Sequence, residues 1–214
     1  WFLHEVLDAA KPVVLTCAMR PATALTPDGP QNLLDAVATV LAPGATGVLA
    51  VAAGEVHGAR HVQKVHPYRV NAFSSGDAGP LGWVEESVVR WACNSPVVPV
   101  KNAVGAMNNI VSAATWPWVE IVMNHAGASG RAVDALVREG VQGLVVACTG
   151  NGTIHHDLEA ALVRAQNAGV RVVCSTRCAE GQVLPKPGDV LPASQGLSPV
   201  KARVALMLDL LRMH

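Results

Sequence analysis

The strongest constraint on this chain's fold is a rhythm in which short β-branched apolar runs alternate with longer amphipathic stretches. Pro12-Val-Val-Leu-Thr-Cys-Ala18 and Gly47 to Ala53 read as strands buried on both faces, because neither alternates with polar residues. Val119 to Met123, Gly143 to Cys148 and Val170 to Ser175 read as further strands. Between them, Asp28 to Leu41, Arg131 to Arg138 and about His156 to Asn167 carry helical patterning, and Ser198-Pro199 opens a last helix to Arg212. Phe2 to Ala9 reads as a helix end. In the helix from Asp28, that residue is the expected cap, and Leu33, Ala36, Val37 and Val40 form the expected core-facing stripe. Such alternation specifies α/β layering with largely parallel sheets flanked by helices.

The texture changes twice. Gly54 to Gly82 is polar and rich in His and Arg, with a short strand expected around Arg69 to Phe73, and Trp83 to Trp91 alternates like a hairpin strand. Ala92 to Pro117 has weak patterning and three prolines, which suits a connection between domains. The expected division is therefore 1–92 as an N-terminal α/β domain, 93–117 as a linker, and 118–214 as a smaller C-terminal α/β domain. The first domain reads as incomplete at its N-terminus, since its opening helix has no strand before it. The sequence opens at Trp1 rather than Met, and the expectation is that residues lie upstream, with any signal peptide among them.

Composition narrows the function classes. Of 214 residues, 50% are hydrophobic and 15% charged, with 16 Lys plus Arg against 16 Asp plus Glu and no basic run. A nucleic-acid partner or an anionic membrane surface has no electrostatic support in such a chain. Apolar runs are broken by Gly, Pro or charge, so none has the length of a bilayer span. The cysteines Cys17, Cys93, Cys148, Cys174 and Cys178 are odd in number. Cys17, Cys148 and Cys174 sit in or beside apolar runs and read as buried thiols, as does the Cys174/Cys178 pair in preference to a metal or redox pair. Free thiols lean towards the cytoplasm, with the periplasm as the alternative.

Four segments place polar residues where open α/β sheets put their sites. They are Cys17 to Asn32, Gly58 to Val70, Asn124 to Ser129, and Thr149-Gly-Asn-Gly-Thr153. Gly150-Asn151-Gly152 is a tight turn by its chemistry. A lone Lys such as Lys64 is ordinarily a solvated charge, yet against a sheet end its amine is able to act as a base. Histidines at 57, 61, 66, 155 and 156 lack an accompanying ligand cluster, so no metal and no cofactor is expected. GxSxG, P-loop and GxGxxG motifs are absent from these residues.

Taken in order, these segments resemble the bacterial-type L-asparaginase family. The resemblance rests on Lys11-Pro-Val-Val-Leu-Thr-Cys-Ala-Met-Arg-Pro21, Asp28-Gly-Pro-Gln-Asn-Leu33, Ala59-Arg-His-Val-Gln-Lys64, Gly79-Pro-Leu-Gly82, Thr149-Gly-Asn-Gly-Thr153 and Ser198-Pro-Val-Lys-Ala-Arg203. It implies a larger N-terminal and a smaller C-terminal α/β domain, and a homotetramer built from intimate dimers. The implied chemistry is hydrolysis of L-asparagine, and of L-glutamine in some members. A Thr hydroxyl attacks the side-chain amide, assisted by a relay of a second Thr, a Lys and an Asp. Lys64 matches the relay Lys, Ala18 the residue whose carbonyl faces the substrate amide, and Thr153, with Asn151 beside it, a substrate-contacting position. The family's Thr-Gly-Gly-Thr-Ile and His-Gly-Thr-Asp-Thr motifs do not occur in these residues, Cys17 stands where Gly is common, and the 181–196 loop is short. Two other readings share the scaffold: the ammonia-releasing subunit of a tRNA-dependent amidotransferase, and a non-catalytic structural or ligand-binding module.

Overall fold

The computed structural model describes residues 1–8, 10–92, 113 and 115–213. Two compact units divide the chain. The first begins with helix α1 (Phe2–Val6), shorter than the Phe2 to Ala9 expected, and is organised on a five-stranded sheet. Its strands are β1 (Val13–Thr16), β2 (Val48–Ala52), β3 (Glu55–Gly58), β6 (Gly82–Glu85) and β7 (Val88–Trp91), in the order β1-β2-β3-β6-β7. Helix α2 (Gly29–Leu41) crosses from β1 to β2, which therefore run parallel, whereas every later pairing in this sheet is antiparallel. A separate two-stranded ribbon pairs β4 (Gln63–Lys64) with β5 (Phe73–Ser74).

Several expectations for this unit are corrected. Among the described residues β1 is an edge strand that pairs with β2, and with its Leu15 44% exposed it is not buried on both faces. It also ends at Thr16, which leaves Cys17 in the following loop as an exposed thiol. Cys178, two residues past the third strand of the second unit, is exposed as well. The α2 stripe is rotated: Asn32, Asp35, Ala36 and Thr39 are buried, while Leu33, Leu34, Val37 and Leu41 face outward. The cause is polar. Asn32 is drawn inward by bonds described below, and Thr39 Oγ1 is satisfied within the helix by the Asp35 carbonyl at 2.8 Å. The Gly54 to Gly82 stretch holds β3, which was not expected because Glu55 and His57 hide its strand character.

Two of the turns are two-residue hairpins whose central residues both have positive φ, the form that matches strand twist. Ala53 and Gly54 (φ 52° and 76°) join β2 to β3, and Glu86 and Ser87 (φ 49° and 63°) join β6 to β7. A core cluster of this unit is centred on Leu49, Val51 and Val56.

The second unit is a three-stranded parallel sheet of β8 (Val119–Met123), β9 (Gly143–Cys148) and β10 (Arg171–Thr176), with β9 in the centre. Helices α3 (Arg131–Arg138) and α4 (His156–Asn167) are the two crossovers. Both step in the same direction across the sheet, so the right-handed rule puts both on one face. Val133, Leu158, Ala161, Leu162 and Ala165 accordingly share one core with Leu144, Val146 and Cys148. Helix α5 (Pro199–Arg212) covers the other face, its Leu206 lying against Gly143. Every residue of β9 is buried. Ser198 sits at the N-cap of α5 without a side-chain capping bond, and Pro199 supplies the helical φ at the first position. Most of the expected 93–117 connection, Cys93 included, lies outside the described residues.

Candidate active-site loops

In the first unit the loop after β1 is held by side chains of α2. The Asp28 carboxylate accepts the backbone N–H groups of Met19 (2.9 Å) and Arg20 (2.8 Å) and the amide of Asn32 (3.1 Å). Asp28 thus sits at the N-cap position of α2 but makes no capping bond; its side chain reaches backward instead. Burial pushes its carboxyl up, but the Met19 and Arg20 N–H donors outweigh this and hold it below the usual carboxylate range. Asn32 Nδ2 also donates to the Cys17 carbonyl at 2.8 Å, and its Oδ1 accepts the N–H of Ala53 at 3.0 Å. Thr16 Oγ1 donates to the Val51 carbonyl at 2.8 Å. Ala18 lies within this braced loop, exposed, with its Cβ facing Gly29.

Lys64 ends β4 and pairs with Phe73 of β5. Its side chain is exposed and makes no hydrogen bond or ion pair among the described residues, so the ammonium is available to another group. The ribbon is anchored from β3. His57, 1% exposed, pairs its Nδ1 with the hydroxyl of Ser75 at 2.9 Å, and Ser75 directly follows β5. On the other side of the ring, Nε2 lies 3.4 Å from a Glu55 carboxylate oxygen. Burial lowers the His57 pKa, favouring the neutral ring. No hydrogen bond joins Lys64 to Ala18 among the described residues.

In the second unit Thr149 and Thr153 face each other across the tight turn, exchanging backbone bonds of 3.1 and 2.9 Å. Gly150 and Gly152 (φ 50° and 83°) take the left-handed conformations that close it. The turn brings Asn151 and Thr153 together at the end of β9, both exposed. Asn151 Oδ1 accepts the N–H of Leu184 at 2.7 Å, tying the turn to the 181–196 loop. Buried Asn124, after β8, braces the same turn from beneath, donating to Thr149 Oγ1 and to the Thr153 carbonyl at 3.1 Å each. Beside Asn151 a cleft of about 590 Å³ opens along α4, lined by His156, Glu159, Arg164 and Asp189.

Among the described residues, His155, His156 and Asp157 bring potential ligand atoms within 4.8 Å of one another. His155 Nδ1 is already the acceptor for the Asp157 N–H at the start of α4, and its ring stacks on His156.

Sequence reasoning marked the loops but not what braces them. Asn32 and Asn124 stood inside marked segments, and the signal for each is an amide-bearing residue one turn into a helix or at a strand end. His57 and Ser75 carried no pattern, since their pairing joins residues 18 apart in sequence.

The family model described as "Asparaginase, N-terminal" matches residues 1–96. The model described as "Glutaminase/Asparaginase C-terminal domain" matches residues 118–213. "L-asparaginase 2" of Bacillus subtilis (strain 168) is 33% identical over 216 residues, covering 98% of this chain and 56% of that protein. "Glutaminase-asparaginase" of Pseudomonas fluorescens biotype A is 32% identical over 219 residues, covering 98% of this chain and 59% of that protein. The crystal structure of a "Probable Cytoplasmic L-asparaginase" from Campylobacter jejuni superposes with a TM-score of 0.88 at 38% identity, over 98% of this chain and 65% of that one. The chain thus spans less than two thirds of the length of these three proteins. With its two units matched in order by both halves of one family, the chain belongs to the asparaginase/glutaminase family.

Proposed function

We propose that this chain is the C-terminal part of an L-asparaginase, which hydrolyses L-asparagine to L-aspartate and ammonia through a Thr nucleophile upstream of Trp1. The observation that carries the reading is the two-part family match together with relatives named L-asparaginase. The greater length of those relatives and the absence of the Thr motifs from these 214 residues support placing the nucleophile upstream. L-glutamine is a second substrate, a reading supported by the relative named glutaminase-asparaginase.

In this mechanism the Thr oxygen attacks the side-chain carbonyl, the C–N bond breaks, ammonia leaves, and water releases aspartate from the ester. Lys64 takes or steers the Thr proton, which needs a neutral or strongly paired amine; no ion pair among the described residues holds its side chain elsewhere. The braced loop offers the Ala18 carbonyl to the substrate amide, and the turn after β9 presents Asn151 and Thr153 to substrate. Domains of 1–92 and 118–214 joined by 93–117 belong to the same proposal. So does a homotetramer, favoured by the apolar face of α2 at Leu33, Leu34, Val37 and Leu41. A cytoplasmic location fits the exposed free thiols of Cys17 and Cys178.

Ammonia release from L-asparagine tests the proposal. The 214 residues alone are expected to be silent, and the protein carrying its upstream segment active; turnover by the 214 residues alone contradicts an upstream nucleophile.

A further inference from the structure

Asn124 is 4% exposed, and every hydrogen-bonding position of its amide facing the turn is used. Nδ2 donates to Thr149 Oγ1 and to the Thr153 carbonyl, both at 3.1 Å, and Oδ1 accepts the N–H of His155 at 2.8 Å. The Asn124 backbone N–H is bound in turn to the Ala147 carbonyl of β9 at 3.0 Å. One buried amide therefore grips both arms of the turn and the N-cap residue of the following helix, against a strand that is itself wholly buried. Only a carboxamide supplies two donors and an acceptor from one group. A carboxylate of the same shape keeps the His155 bond but sets an oxygen against the Thr153 carbonyl, and an apolar residue leaves the His155 N–H without its acceptor and removes both donors to the turn.

We propose that Asn124 is a positioning residue that sets where Thr153 meets the substrate, and so helps discriminate asparagine from glutamine. This rests on the reading above that the turn contacts substrate. The two amides differ by one methylene, a difference that a binding pocket converts to roughly 10- to 200-fold selectivity when its walls are held in place. Released from Nδ2, the Thr149–Thr153 mouth keeps its own backbone bonds but loses its tether to β8. Its position relative to substrate then varies while its shape persists.

The test uses the full-length protein and compares Asn124→Asp, Thr153→Ala and the double variant. Thr149→Val serves as a second break, since it removes the Oγ1 that accepts from Asn124 Nδ2 and that itself donates to the Thr153 carbonyl, both at 3.1 Å. Asn124→Asp is expected to raise KM for L-asparagine about tenfold with kcat within about threefold, and to narrow the asparagine-to-glutamine ratio of kcat/KM. Thr149→Val should move the same quantities in the same direction. The double variant should be no worse in KM than Thr153→Ala alone, because the two act through one contact. A folded Asn124→Asp protein with unchanged KM and selectivity overturns the inference, as does strict additivity in the double variant. If Thr153→Ala itself leaves KM unchanged, the turn does not reach substrate, and the underlying reading falls with the inference. If Thr153→Ala raises KM while Asn124→Asp does not, only the inference falls.

Discussion

The Asp28 carboxylate accepts the backbone N–H of Arg20 at 2.8 Å, and this bond, with its twin to Met19, turns the chain leaving β1 back onto the start of α2. A side chain at a helix start is ordinarily spent on its own helix's first N–H groups. Here it is spent on the preceding loop, with Asn32 one turn later completing the brace.

Replacing Asp28 by Asn should therefore loosen the loop and lower stability by about 1–2 kcal/mol, since donors aimed at a carboxylate lose a charged acceptor. The folded-state pKa of Asp28 is depressed, so its contribution is present above the ordinary carboxylate value of 3.8 and is lost as pH falls through the lower folded value. Thermal unfolding of the full-length protein between pH 5 and pH 2.5 should show a steeper acid-side loss in the wild type than in Asp28→Asn. Parallel curves contradict the assignment.

His57 gives the opposite titration partner with the same sign. Burial depresses its folded pKa below 6.5, so the unfolded chain takes up the proton first and stability falls as pH drops below 6.5. His57→Asn keeps a side-chain amide near the Nδ1 position for Ser75 and cannot be protonated. Its melting temperature should be flatter than the wild type's between pH 7 and pH 5.5, and an equal slope in both contradicts the role given to His57.

Ala53 holds a left-handed conformation at φ 52°, which costs an L-residue with a Cβ roughly 1–2 kcal/mol. Ala53→Gly relieves that strain and adds unfolded-state entropy, for a net gain of about 0.5 kcal/mol. A urea titration that shows destabilisation instead contradicts the turn geometry.

Gly143 begins the central strand where a Cβ would come within 2.9 Å of Leu206 and 3.0 Å of Val119. Gly143→Ala should cost about 1–3 kcal/mol by overpacking the β9–α5 contact. Unchanged chemical stability contradicts that packing.

The second unit was the more legible in sequence, and physics explains the contrast. β8 and β9 are bounded by turn residues, and α3 and α4 carry clear 3.6-residue patterning, so all four occupy the spans read for them. β10 is shifted by one residue, to Arg171–Thr176. The first unit hides β3 behind polar residues. β3 carries Glu55 and His57 at strand positions, with His57 buried only because Ser75 supplies a partner. α2 turns a polar edge inward because Asn32 bonds to Cys17 and Ala53, a tertiary demand that overrides its apolar stripe. The turn at Gly150 to Gly152 was readable from its residue chemistry alone. Positions 18, 64, 151 and 153 were marked by family resemblance, whereas the braces at Asp28, Asn32 and Asn124 act through side-chain bonds spanning 4 to 31 residues that no local pattern encodes.

The central claim, that this chain supplies a proton-relay amine to an amide-hydrolysing site, is tested most directly by ammonia release from L-asparagine in the full-length protein bearing Lys64→Met. Lys64 is exposed on a two-residue strand and makes no ion pair among the described residues, so the substitution should leave the melting temperature within a degree or two. The predicted result is loss of at least about a thousandfold in kcat with the fold intact. Near-normal turnover in that variant contradicts the account and makes Lys64 an ordinary surface charge.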